Sequence, residues 1–205
     1  MKLPYLLLIA AAATPAFAQT ASAKSRLSYD RVAVGYSSND SLKGYELTAS
    51  ALVGSNVIVT GAYQDVDGKG TLSGFGGRIT GFGLAYKFNV GPGDLALGYQ
   101  YAQGQFGAST GIAVAELKGF GLNYRQAIND TLEFSVGYAR LSAELGALAV
   151  VGGNIQLGAA SETSNVFDVA VRVNVTKNLN AELSYAFQNK NAGSNTIGLS
   201  VGYNF

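Results

Sequence analysis

The chain has 205 residues, enough for one domain, with a formal net charge of +1 and neither cysteine nor histidine. That balance leaves no basic footprint for nucleic acid, and the missing cysteines exclude disulfides and a cysteine lipid anchor. The missing histidines remove the usual general base, the commonest metal ligand and the Ser-His arrangement of hydrolases, so no enzyme activity, cofactor or metal is expected.

Met1 and Lys2 precede an apolar run, Leu6 to Ala13, then Thr14, Pro15 and the small-x-small pattern Ala16-Phe17-Ala18. This predicts an export signal over 1–18, because the run is too short to cross a bilayer as a helix and stops at a cleavage-like site. Removing Lys2 leaves 19–205 formally neutral. Residues 19–26 are small and polar, and read as a short periplasmic lead.

From there the chain alternates. Leu27 to Ser37 places Val32, Val34 and Tyr36 against Arg31, Ala33 and Gly35, and Gly44 to Leu52 places Tyr45 and Leu47 against Glu46 and Thr48. A period of two is a strand signal. After a Gly54-Ser55-Asn56 turn a third strand runs to Gln64, and 65–78 is Gly-rich and reads as a loop. Ile79 to Asn89, with Phe82, Leu84, Tyr86 and Phe88 on one face, turns at Gly91-Pro92-Gly93 into a fifth strand bearing Leu95, Leu97, Tyr99 and Tyr101. A second long loop is expected over 103–117, although Ile112 and Val114 extend the parity of the next strand. Lys118 to Gln126, a turn at Asn129-Asp130 and a seventh strand follow, then a third long loop over 142–164 in which Ile155 to Leu157 keeps strand parity. Asn165 to Asn174, the Thr176-Lys177-Asn178 turn and a ninth strand lead to the last one, where Ile197, Leu199, Val201, Tyr203 and Phe205 face one way and Gly198, Ser200, Gly202 and Asn204 the other.

The expected fold is all-β: a transmembrane, antiparallel, up-and-down barrel of ten strands, with eight as the alternative count. Apolar rows face lipid and small polar rows face the lumen, and unpaired backbone in hydrocarbon forces closure. An even count puts both chain ends on the periplasmic side, with short turns there and long loops outside. Hairpins beginning at Gly44, Gly81 and Gly119 lie 37 and 38 residues apart, the repeat expected of a wall built from hairpins. A soluble barrel or sandwich also alternates. Against it stand the export signal, the nearly uncharged outward rows, and aromatic residues at both ends of the strands, from Tyr36, Tyr45 and Tyr101 on one side to Tyr86, Tyr203 and Phe205 on the other.

Eight charged residues share the inward parity: Arg31, Glu46, Lys87, Arg125, Glu133, Asp168, Arg172 and Glu182. Hairpin symmetry sets Arg125 opposite Glu133 and Arg172 opposite Glu182, two cross-strand pairs in the periplasmic half of the lumen, with Lys87 and Arg31 at similar depth. Such a layer either fills and stiffens a narrow barrel or forms a constriction. The Gly, Ala, Ser and Thr that dominate the inward rows leave space, and ten strands widen the interior. Other constellations are weaker. Asp65-Val66-Asp67-Gly68-Lys69-Gly70 lacks the third acidic position and distal Glu of a calcium loop and reads as a solvated turn, and Gly74-Phe75-Gly76-Gly77 has no following helix to cradle phosphate.

The alternating hairpins Gly81 to Gln103, Gly119 to Arg140 and Val166 to Gln188, with the terminal Phe205, resemble the small outer-membrane β-barrels of Gram-negative bacteria in the porin-like superfamily. The Tyr-containing first strand and the Gly-Tyr-Asn-Phe tail are similar to small barrels of xanthomonads and their relatives. The resemblance implies recognition of the tail by the outer-membrane assembly machinery, through Tyr203 and Phe205 with Val201 and Leu199 on the same face. It implies a monomer surrounded by outer-membrane lipid and lipopolysaccharide. The barrel enzymes of that compartment carry a catalytic His that is absent here. The expected function is a narrow passive channel for small polar solutes or ions. The alternative is a closed structural or surface-interaction barrel that works through its extracellular loops at 65–78, 103–117 and 142–164.

Overall fold

A computed structural model describes residues 27–108, 111–151, 154–189 and 195–205. The expected leader over 1–18 and the lead over 19–26 lie outside them, as do residues 190–194 ahead of the last strand. Ten strands form: β1 (Arg31–Ser38), β2 (Leu42–Val53), β3 (Val57–Gly68), β4 (Gly76–Val90), β5 (Gly93–Ala108), β6 (Gly111–Ala127), β7 (Leu132–Val151), β8 (Asn154–Asn174), β9 (Leu179–Asn189) and β10 (Thr196–Asn204). Each pairs antiparallel with its chain neighbours, and β10 pairs with β1 to close an up-and-down barrel. At that seam Val34 faces Val201, and Tyr36 faces Leu199.

The side-chain parity is the expected one. Outward residues such as Val34, Tyr45, Phe82, Leu97, Phe120 and Leu199 are exposed, while their inward neighbours are buried or half-buried. Rings meet across strands on the outside, as in Tyr36 with Tyr45 at 5.4 Å, Tyr99 with Phe120 at 5.1 Å and Tyr138 with Phe167 at 5.0 Å between centroids. This belt sits where a bilayer meets water. The inner turns are local chemistry. Gly91 takes φ of 59° at the first position of a two-residue hairpin turn. Asn129 Oδ1 accepts the N–H groups of Thr131 and Leu132, and Thr176 Oγ1 accepts those of Asn178 and Leu179.

Three expectations are corrected. The stretches 103–117 and 142–164 are mostly strand, and 65–78 is half strand: β5 continues to Ala108, β6 begins at Gly111, and β7 and β8 run as one long hairpin to Val151 and Asn154. In the first stretch the ladder runs to Gly68 and resumes at Gly76, leaving one 3-10 turn at Gly70–Leu72 between them. The physical reason is that inward residues stay apolar beyond the membrane. Ala113, Ala115 and Leu117 on β6 and Leu141, Ala143 and Leu145 on β7 are buried, so pairing continues upward. The first strand is shorter than expected: Leu27 to Asp30 precede β1 and are not strand.

The small inward residues do not leave an empty lumen. In the outer half Leu42, Val66, Ile79, Phe106, Leu141 and Val166 form one buried apolar cluster. Phe106 is seated against Gly77 and Gly104, where a Cβ would overlap its ring. At the periplasmic mouth Leu27 and Tyr29 turn inward and pack with Ile58, Ala85 and Ala96 in a second cluster.

Candidate functional site: the charged interior and the outer wall

The inward charges lie below the outer cluster and reach down to the level of the second one at the periplasmic mouth. Charges belong on this face, because a lysine or arginine at the lipid midplane costs about 2–4 kcal/mol. The expected two pairs are one chain. Glu133 lies directly opposite Arg172, and Arg172 directly opposite Glu182. Arg125 faces Ser135 and reaches Glu133 diagonally. Arg172 donates from Nε to Glu182 Oε2 at 2.8 Å, its Nη1 stands 3.7 Å from Glu133 Oε2, and Asn174 donates to the other Glu133 oxygen at 2.7 Å. The sequence Arg125–Glu133–Arg172–Glu182 therefore crosses four strands as a single ion chain.

Arg31 ends this row without a carboxylate contact among the described residues. Its Nε donates to Asn180 Oδ1 at 3.0 Å and one terminal nitrogen donates to Ser200 at 3.3 Å; Asn180 in turn donates to Asn204 Oδ1 at 3.1 Å. The guanidinium lies over Gly202, where any Cβ would collide with it. Lys87 belongs to a second group. It donates to Asn89 Oδ1 at 3.0 Å and stands 5.7 Å over the Tyr29 ring, while Tyr29 donates to Asp94 at 3.3 Å. Arg31, Lys87 and Arg125 expose 0%, 1% and 2% of their surface, which makes this layer packed rather than wet.

Glu46 and Asp168 stand apart from the ion chain. Both are half-buried, and among the described residues neither makes a hydrogen bond or an ion pair. Asp168 lies over Gly137. Two small cavities, each about 20 Å³, meet at Glu46: Gln64, Gln100 and Ala62 line one, and Ser37, Thr48, Ser184 and Ser200 the other. Each has room for about one water.

Asp94 and Tyr29 are the functional-level residues that the sequence reading missed. Asp94 shares its inward parity with Ala96, Gly98 and Gln100, and Tyr29 shares that of Arg31, so the alternation itself carried the signal. The tail residues Leu199, Val201 and Tyr203 lie on the outward face of β10, and Phe205 just beyond it is exposed, its N–H donating to Asp30 O at 3.1 Å.

Outside, the tall wall of β6, β7 and β8 rises past the aromatic belt. Lys118 Nζ stands 3.0 Å from Glu144 and 3.4 Å from Glu116. Beyond these charges the outward row turns apolar again, with Ile112, Val114, Leu148 and Leu157 exposed on a concave face that includes Gly146 and Gly158. Asp65, from the calcium-like stretch, faces Arg78 at 4.0 Å.

A closed barrel with apolar outward rows, bounded by aromatic belts, fits the hydrocarbon of a bilayer on its outside and nowhere else. The chain is a closed β-barrel with the outer surface of a transmembrane one. No protein-family model matches its sequence, and no curated protein does. Among solved structures it is similar to the KdgM porin, with a TM-score of 0.45 and 9% identity over 85% of this chain and 99% of that one. It is similar to the translocator domain of autotransporter NalP from Neisseria meningitidis, with a TM-score of 0.45 and 13% identity over 85% and 88%. It is also similar to Ail, the attachment invasion locus protein of Yersinia pestis, with a TM-score of 0.38 and 14% identity over 87% and 100%. These three differ in what they are named for, and a shared barrel does not choose among them.

Proposed function

We propose that this barrel is closed across the membrane and works at the cell surface, through the wall of β6–β8 that stands above the bilayer. The observation that carries this reading is the filled interior: an apolar cluster in the outer half and a buried ion chain in the inner half, with Tyr29 and Leu27 in the mouth. Moving solute would require desolvated arginines and carboxylates to part, and breaking such pairs costs about 3–5 kcal/mol each. The outer wall offers what an interaction surface needs: exposed apolar side chains above a charged rim. On this reading the partners outside are lipopolysaccharide or the surface of another cell, Leu199, Val201, Tyr203 and Phe205 address the chain to the assembly machinery, and the chain is a monomer and no enzyme.

The second reading is the narrow passive channel, and the two cavities that meet at Glu46, one lined largely by apolar side chains and the other by hydroxyls, are the observation that favours it. Planar-bilayer recording separates the two. Folded protein should give no reproducible unitary conductance, whereas a variant shortened in the β7–β8 hairpin should lose surface binding and stay folded. Stable single-channel steps from the intact protein would overturn the proposal.

A further inference from the structure

We propose that the chamber around Glu46 binds a small monovalent cation of the size of sodium, potassium or ammonium. The first observation is the charge inventory of the membrane-spanning interior. Four cations, Arg31, Lys87, Arg125 and Arg172, face five carboxylates, Glu46, Asp94, Glu133, Asp168 and Glu182. One negative charge is in excess, and the ion chain engages Glu133 and Glu182 but reaches neither Glu46 nor Asp168. Arg31 lies within electrostatic reach of Glu46 without touching it, and one cation for two half-buried carboxylates leaves the interior favouring one further positive charge.

The second observation is independent of charge. Gln64 is buried and lines the same cavity as Glu46; its amide nitrogen donates to Ser37 at 3.0 Å, and its Oε1 has no hydrogen-bond partner among the described residues. Gln100, also buried, brings an unpartnered Nε2 to that cavity, suited to hold a water in the ion's shell. On the other side of Glu46 the lining carries the hydroxyls of Ser37, Thr48, Ser184 and Ser200 and also Glu182, which Arg172 already engages. A carboxylate, an amide oxygen and hydroxyls are hard oxygen ligands, and one carboxylate outside the ion chain with one excess charge matches a monovalent ion rather than calcium, which takes six to eight oxygens and usually several carboxylates. Each cavity, of about 20 Å³, has room for one particle of about the size of a water, so the two together admit an ion and a single water.

The test is thermal unfolding of the full-length mature protein in detergent micelles at fixed ionic strength and pH. Sodium, potassium or ammonium chloride is compared with N-methylglucamine chloride. At least one small cation should raise the midpoint, saturably and by about 2–4 °C. The shift should vanish in Glu46→Gln and persist in Glu144→Gln, which alters only the outer rim. Equal midpoints in all four salts, or a shift that survives Glu46→Gln, would overturn the proposal. Should Glu46→Gln fail to fold, crystals of the unaltered protein grown in thallium(I) salt decide it: an anomalous peak beside Glu46 is expected, and its absence refutes the site.

Discussion

Arg172 is the residue on which the interior depends most, because it alone contacts both Glu133 and Glu182. Arg172→Ala should lower stability by about 3–5 kcal/mol, since Glu182 is then left buried without a contacting cation; unfolding in urea, followed by loss of strand circular dichroism, measures it. Glu133 would suffer less, keeping Arg125 and the Asn174 amide. Gly202 is the converse case, a position defined by what lies over it. Gly202→Ala puts a methyl group where the Arg31 guanidinium sits and should cost about 1–3 kcal/mol by overpacking, read by the same titration. These two positions also mark the limit of reading side chains from sequence. The inward parity of all eight expected charges was legible, because alternation assigns faces. That the neighbouring glycines are seats for those charges rather than open space was not, because it depends on which strand reaches over which.

Among the elements, the four residues Leu27 to Asp30 do more than their length suggests. Ser50 donates to Tyr29 O at 2.7 Å, Leu52 N–H donates to Asp30 Oδ1 at 3.0 Å, and the Tyr29 ring is buried between Lys87 and Asp94. Tyr29→Ala should therefore cost about 3–5 kcal/mol, and Tyr29→Phe, which removes only the hydrogen bond to Asp94, about 0.5–1.5 kcal/mol. Comparing the two midpoints separates the ring's packing from its hydroxyl. The β7–β8 hairpin behaves oppositely. Its upper part lies beyond the aromatic belt, so deleting 146–159 and joining the ends with a short turn should leave a folded barrel, visible as the faster-migrating band in an unheated gel. Here the sequence was only half legible. The Gly and Ala content of 142–164 resembles a loop, and the burial of Leu145 that keeps the ladder going comes from the facing strands, which a linear reading does not bring together.

At the scale of the molecule, ten strands, their order and the closing pair were all carried by period-two alternation, which is local and survives without any alignment. What escaped was the filling of the barrel, since strand number bounds the width of a lumen but not its contents. The strands also differ greatly in length: β7 and β8 have 20 and 21 residues, while β1 and β10, which meet at the seam, have 8 and 9. At about 3.3 Å per residue and a tilt near 40°, a strand of the shorter kind rises only about 20 Å along the membrane normal, less than the apolar band of about 25 Å usual for such barrels. The bilayer must thin beside the seam or the barrel must lean toward it. Either way the molecule imposes a direction on the lipid around it.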